Sequence, residues 1–132
     1  MPNFRLPSDE LEYSVLCALW ELRSASVREL HERVGAPGGL VYTTIAKVVD
    51  RLREKGLIDR SRHQGGAFVY VPAADRSAVE RARARQIVSR FLGPGPRSAV
   101  AALVEAVDEI DPELLEALER AIQDKKRTNH GA

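Results

Sequence analysis

Tyr42, Thr43, Thr44 and Lys47 fall within two turns of a predicted helix, and none of them is a nucleophile paired with a base or a metal ligand. Their chemistry is hydrogen bonding and close contact. A threonine offers its methyl to a thymine methyl and its hydroxyl to a base edge or phosphate, and a lysine reaches a guanine edge or a phosphate. Tyr42 suits packing on a sugar-phosphate backbone. Arg51, Arg53 and Lys55 on the flanks of the same helix, with Arg60 and Arg62 just beyond it, are residue types that neutralise phosphates and so position a protein without reading sequence.

The segment that carries them, 40 to 56, places Val41, Ile45, Val48, Val49 and Leu52 on one face at helical spacing, and Gly56 closes it. Thr43, Ala46, Lys47 and Asp50 then look outward. Upstream, Leu11, Val15, Leu19 and Leu22 predict a helix over 9 to 22, with Ser8 as its cap. Ser26 and Glu29 form a capping box for a second, two-turn helix bearing Val27, Leu30 and Val34. Gly35, as a left-handed cap, and Pro37 end it. Downstream, 57 to 62 and 67 to 71 are strand-like runs around His63-Gln-Gly-Gly66, and Pro72 stops the second. Helix, short helix, tight turn, helix and hairpin make a winged helix-turn-helix, whose third helix fits the major groove of DNA. His63 on the wing is expected to meet phosphate or the minor groove, or to be simply exposed.

The remainder predicts a helical unit. Asp75 caps a helix over 76 to 92, Gly93-Pro-Gly-Pro96 breaks it, and helices over 97 to 108 and 112 to 126 follow, with Lys125 to Ala132 as a polar tail. Ile87, Val88, Phe91 and Leu92 surround their helix, so that end is expected to be buried on several sides. Val100, Leu103 and Val104, then Leu114, Leu115, Leu118 and Ile122, are too many apolar residues for so few neighbours to cover. A symmetric homodimer would cover them and present two reading heads to a palindromic site. The fold class is thus mostly α with a small β-hairpin wing: a winged helix-turn-helix DNA-binding domain over 1–74 and an α-helical dimerisation domain over 75–132.

Composition first argues against nucleic acid, because 20 basic residues face 19 acidic ones among 132. The distribution reverses this. Residues 1 to 39 carry four arginines against six acids, whereas 40 to 66 carry six basic side chains against three acids, and 76 to 90 five arginines against one glutamate. Positive charge gathers on the third helix, the wing and the fourth helix. With no apolar run long enough for a span and no signal layout at MPNFRLPSDE, a cytoplasmic protein without membrane insertion is expected. One cysteine, Cys17, excludes an internal disulfide and reads as a buried hydrophobe. His31, His63 and His130 lack metal-ligand spacing, and no catalytic pairing or phosphate-cradling loop is found, so neither cofactor nor enzyme activity is expected.

Leu40-Val-Tyr-Thr-Thr-Ile-Ala-Lys-Val-Val-Asp-Arg-Leu-Arg-Glu-Lys-Gly-Leu57, Ser8-Asp-Glu-Leu-Glu12 with Trp20, and Phe68-Val-Tyr-Val-Pro72 resemble the penicillinase-repressor family (the BlaI/MecI/CopY type) from about 8 to 124. The resemblance implies a homodimeric repressor that binds inverted-repeat operators, with Tyr42, Thr43, Thr44 and Lys47 at the reading positions. In the β-lactam-responsive branch a membrane sensor-protease leads to cleavage at an asparagine-phenylalanine bond. Ala102-Leu103 aligns there, in the matching place with different residues. The copper branch uses cysteine-x-cysteine pairs, which this chain lacks.

Two other readings stay open. Asp50 and Glu54 on the outward face of the third helix would repel phosphate, which favours a protein-interaction adaptor. A DNA-binding regulator released by a small molecule at the dimer seam, without proteolysis, is the other.

Overall fold

Asp9, not Ser8, starts the first helix. Its carboxylate accepts the Glu12 N–H at 2.8 Å, while Ser8 donates its own backbone N–H to Glu12 Oε1 at 3.1 Å. The computed structural model describes residues 3–62 and 65–130. It divides into two compact units, Met1–Ala84 and Arg85–Ala132. His63 lies outside the described residues.

In the first unit, helix α1 (Glu10–Leu22) turns Val15, Leu16 and Leu19 inward. The capping box forms as the sequence predicts: Ser26 Oγ accepts the Glu29 N–H at 3.2 Å and Glu29 Oε1 accepts the Ser26 N–H at 3.0 Å. Helix α2 (Val27–Leu30) then widens into a π-helical turn, His31–Gly35. Gly35 does not take the left-handed conformation expected of it; Gly39 does, at φ 72°. What Gly35 supplies is absence of a side chain, since a Cβ there would meet His31 Cδ2 at 2.5 Å and Ile45 Cγ1 at 2.7 Å. Gly35→Ala is therefore expected to cost about 1–3 kcal/mol through overpacking. A urea midpoint equal to that of the unsubstituted protein would show that the two helices can part freely.

Helix α3 (Tyr42–Glu54) buries Ile45, Val48, Val49 and Leu52 against α1. Val41, expected on that face, is instead the extended residue before the helix and is 64% exposed. Strands β1 (Ile58–Arg62) and β2 (Phe68–Pro72) pair antiparallel, with Ile58 opposite Pro72 and Arg62 opposite Phe68. The hairpin's base enters the core through Ile58 and Tyr70. Ala25 and Tyr70 exchange backbone hydrogen bonds at 3.0 and 2.8 Å, which fixes the α1–α2 connection to the wing.

Helix α4 (Arg76–Leu92) is capped by Asp75, whose carboxylate accepts the Ala78 N–H at 3.3 Å. Its first half belongs to the first unit. Val79 is buried in the core, Trp20 Nε1 donates to the Ala74 carbonyl at 3.1 Å, and Arg83 reaches Glu10 at 3.0 Å. The first compact unit therefore extends to Ala84 and takes in the first half of α4.

The second unit comprises the end of α4 with α5 (Pro96–Ile110) and α6 (Pro112–His130), which pack on one another. Asp111 accepts the Glu113 N–H at 2.9 Å and so caps α6. The helix runs past its expected end at 126, so the residues described from Lys125 to His130 are helical, not a frayed tail. Lysine and arginine are good helix formers and suit the negative end of a helix dipole. No residue of α5 or α6 is buried. Ile87, Val88 and Phe91 are exposed in the single chain rather than enclosed, and Leu92 is half-buried.

Candidate nucleic-acid interface

The start of α3 is set by the turn before it, since Val41 offers no side-chain cap. Leu40 donates its N–H to the Gly35 carbonyl at 2.9 Å, and its own carbonyl lies 2.8 Å from His31 Nε2. A carbonyl partner requires the His31 proton to sit on Nε2. The same imidazole meets the Tyr42 ring edge-on, with centroids 6.0 Å apart. His31 thus holds the entry to α3 and the ring of its first residue. Nothing in the sequence marks it for this role, because its partner is a backbone atom nine residues away.

From this start, Tyr42, Thr43 and Lys47 are exposed and Thr44 is half-buried. Asp50, Arg53 and Glu54 line a shallow groove of about 530 Å³ further along the helix. The groove brings two carboxylates and one guanidinium together. Arg51 is exposed, but its guanidinium lies 3.8 Å from Glu12 Oε2.

Lys55 does not join the phosphate-neutralising set. Its ammonium bonds Glu12 Oε1 and the Ser8 hydroxyl, and its side chain is only 12% exposed. Glu12 itself is 1% exposed. This buried pair ties the first turn of α1 to the end of α3. One signal for it stood in the sequence: Glu12 falls at helical spacing with Val15, Leu16 and Leu19, an acid within an apolar stripe.

Arg60 and Arg62 occupy one face of the wing. In register they oppose Tyr70 and Phe68, and both guanidiniums lie over the Phe68 ring, at 4.0 and 5.4 Å from its centroid. Phe68, Tyr70 and Ala67 of the wing, Ser26–Arg28 at the start of α2, and Tyr42 together line a groove of about 500 Å³. The wing, the start of α2 and the start of α3 thus share one concavity.

Charge on this surface is unevenly committed. Arg28 and Arg33 are paired with Glu32 and Glu21 at 3.3 and 2.6 Å. Among the described residues, Lys47, Arg53, Arg60 and Arg62 have no carboxylate within 4.0 Å. The arginines of α4 differ from expectation, because two of them brace the fold. Arg76 is ion-paired with Glu80 at 3.6 Å and lies over Trp20, while Arg83 sits 3.8 Å above the Tyr13 ring. Burial, then the neighbouring Cys17, push the Tyr13 hydroxyl above its ordinary range, with Arg83 opposing them. Cys17 is half-buried, not enclosed as expected.

The profile of the penicillinase repressor family matches residues 9–124 of this chain. The chain belongs to that family. A relative, the transcriptional regulator BlaI of Mycobacterium tuberculosis, is 30% identical over 123 residues, covering 92% of this chain and 86% of its own length. Among solved structures, the PcaV transcriptional regulator of Streptomyces coelicolor is 28% identical, over 81% of this chain and 79% of that one, with a TM-score of 0.48. A MarR family transcriptional regulator from Silicibacter pomeroyi is 18% identical, over 91% and 71%, also with a TM-score of 0.48. As a penicillinase repressor family member the chain is a transcriptional regulator, not an enzyme, and its first unit is a winged helix. No helix among the described residues is long and apolar enough to cross a membrane.

Proposed function

We propose that this protein is a homodimeric, sequence-specific repressor that binds an inverted-repeat operator in the cytoplasm. The observation that carries the reading is the outward row Tyr42, Thr43 and Lys47 on α3, with the uncommitted charges of Arg53, Arg60 and Arg62 beside it. In this reading Tyr42, Thr43, Thr44 and Lys47 meet base edges and backbone at the start of α3, and the arginines hold phosphates. Arg51 serves there only in so far as it leaves Glu12. Asp50 and Glu54 sit in the later turns of α3, further from the amino-terminal residues that enter the groove most deeply.

The test is titration of the purified protein with a duplex from its own promoter region and with scrambled DNA, at several salt concentrations. Specific binding should fall in the nanomolar range or below and weaken steeply with salt. Arg60→Ala or Arg62→Ala should reduce the salt slope by about 1 for each phosphate that is no longer neutralised, whereas Lys47→Ala should change which sequences are preferred. Equal affinity for promoter and scrambled duplex would sink the proposal. Stoichiometric capture of a protein by a chain that ignores duplex DNA would establish the adaptor instead.

For release we propose proteolysis by a membrane sensor-protease or an agent it activates, at Ala102-Leu103. Both residues are exposed in the middle of α5. A protease needs an extended substrate, so α5 must open locally before the bond is cut. Intact chain under inducing conditions, with operator release nonetheless, would favour a small-molecule inducer.

A further inference from the structure

Phe68 is a large apolar residue on the wing, 37% exposed, at the outer end of a strand whose Tyr70 is buried. Two arginines crowd it. Arg62 stands directly across the hairpin and Arg60 on the diagonal, both with guanidinium carbons over its ring. We propose that Phe68 is a positioning residue for phosphate binding, a platform that fixes the Arg60 and Arg62 guanidiniums before DNA arrives.

The physical reason lies in what stacking leaves free. A guanidinium has five N–H donors at the edge of its plane, and a ring engages only its face. An ion pair engages the edge, as Arg33 does with Glu21. Stacked arginines therefore keep their donors for phosphate oxygens while losing the rotamer freedom that an isolated arginine would otherwise surrender on binding. The hairpin register makes the arrangement local. The three side chains sit on two adjacent strands, whose pairing sets their spacing.

The inference rests on the DNA-binding reading, and its test separates the two. Phe68→Leu keeps an apolar strand residue and removes the ring. It should weaken binding to the promoter duplex about five- to thirtyfold, the size expected when two arginine side chains must again surrender their rotamer freedom on binding, while leaving the salt slope unchanged because both charges remain. Phe68→Tyr should restore affinity. In a chain already carrying Arg60→Ala and Arg62→Ala, adding Phe68→Leu should change nothing further. An equal loss in that background would show that Phe68 touches DNA itself or merely holds the hairpin, and would overturn the proposal. So would an unaltered affinity in the Phe68→Leu single variant. Urea midpoints of all four variants check that the fold survives. A parent protein that prefers no duplex removes the DNA-binding reading itself, and this inference with it.

Discussion

Phe91→Asp is expected to turn a dimer into a monomer and to lower operator affinity by about two to four orders of magnitude while the winged-helix unit stays folded. Phe91 is 44% exposed near the end of α4, and Ile87, Val88, Val100, Leu103, Leu114 and Ile122 are exposed with it. Leu92, Val104, Leu115 and Leu118 are half-buried at their margins. So many large apolar groups exceed what a monomer normally leaves in water. A twofold interface uses each residue twice, so a buried aromatic removed from both copies, with a carboxylate put in its place, deletes two anchors and buries two charges. Affinity then falls because a linked pair of reading heads gains a factor of about 10² to 10⁴ over one head. Sedimentation and gel-shift titration read the two effects, and Ile122→Asp on α6 provides an independent variant. If the unsubstituted protein is monomeric at micromolar concentration, or if the variants remain dimeric and bind with parental affinity, the dimer reading is wrong.

The elements that the sequence disclosed are those whose cause is local. Ser26 with Glu29, Asp75, and Gly93 through Pro96 act within four residues, and Ile45, Val48, Val49 and Leu52 betray their face by spacing alone. What escaped was decided across the chain. Lys55 looks like any flank lysine until α1 brings Glu12 to it from 43 positions away. Gly35 resembles a cap glycine until Ile45 packs where its side chain would be. Val41 has the right period and is lost from the core only because α3 begins one residue later. In the candidate site, the outward placement of Thr43 and Lys47 followed from periodicity. The stacking on Phe68 and the His31 brace did not, since both depend on registers between segments.

The second large effect concerns Glu12 and Lys55, and the expected result is a double-mutant reversal. Glu12 Oε1 accepts from the Ser8 N–H and the Lys55 ammonium, and Oε2 lies 3.8 Å from Arg51, all around a carboxylate that is 1% exposed. Removing one partner of a buried pair strands the other charge, which costs about 3–5 kcal/mol. Glu12→Leu should therefore lose about that much stability, and Lys55→Met somewhat less, because Arg51 can approach the abandoned carboxylate from the solvent side. Replacing both with apolar residues of similar volume should recover most of the loss, since desolvating two charges roughly offsets their attraction. Urea unfolding of the four proteins measures this directly, with the coupling read from the cycle. Additive losses in the double variant would mean that the two residues stabilise separately, and a Glu12→Leu unfolding free energy within about 1 kcal/mol of the parent would mean that the pair holds nothing. Because the pair ties the first turn of α1 to the end of α3, the single variants should also loosen α3 against α1. Their operator affinity should then fall further than the unfolded fraction explains, and the double variant should regain affinity together with stability.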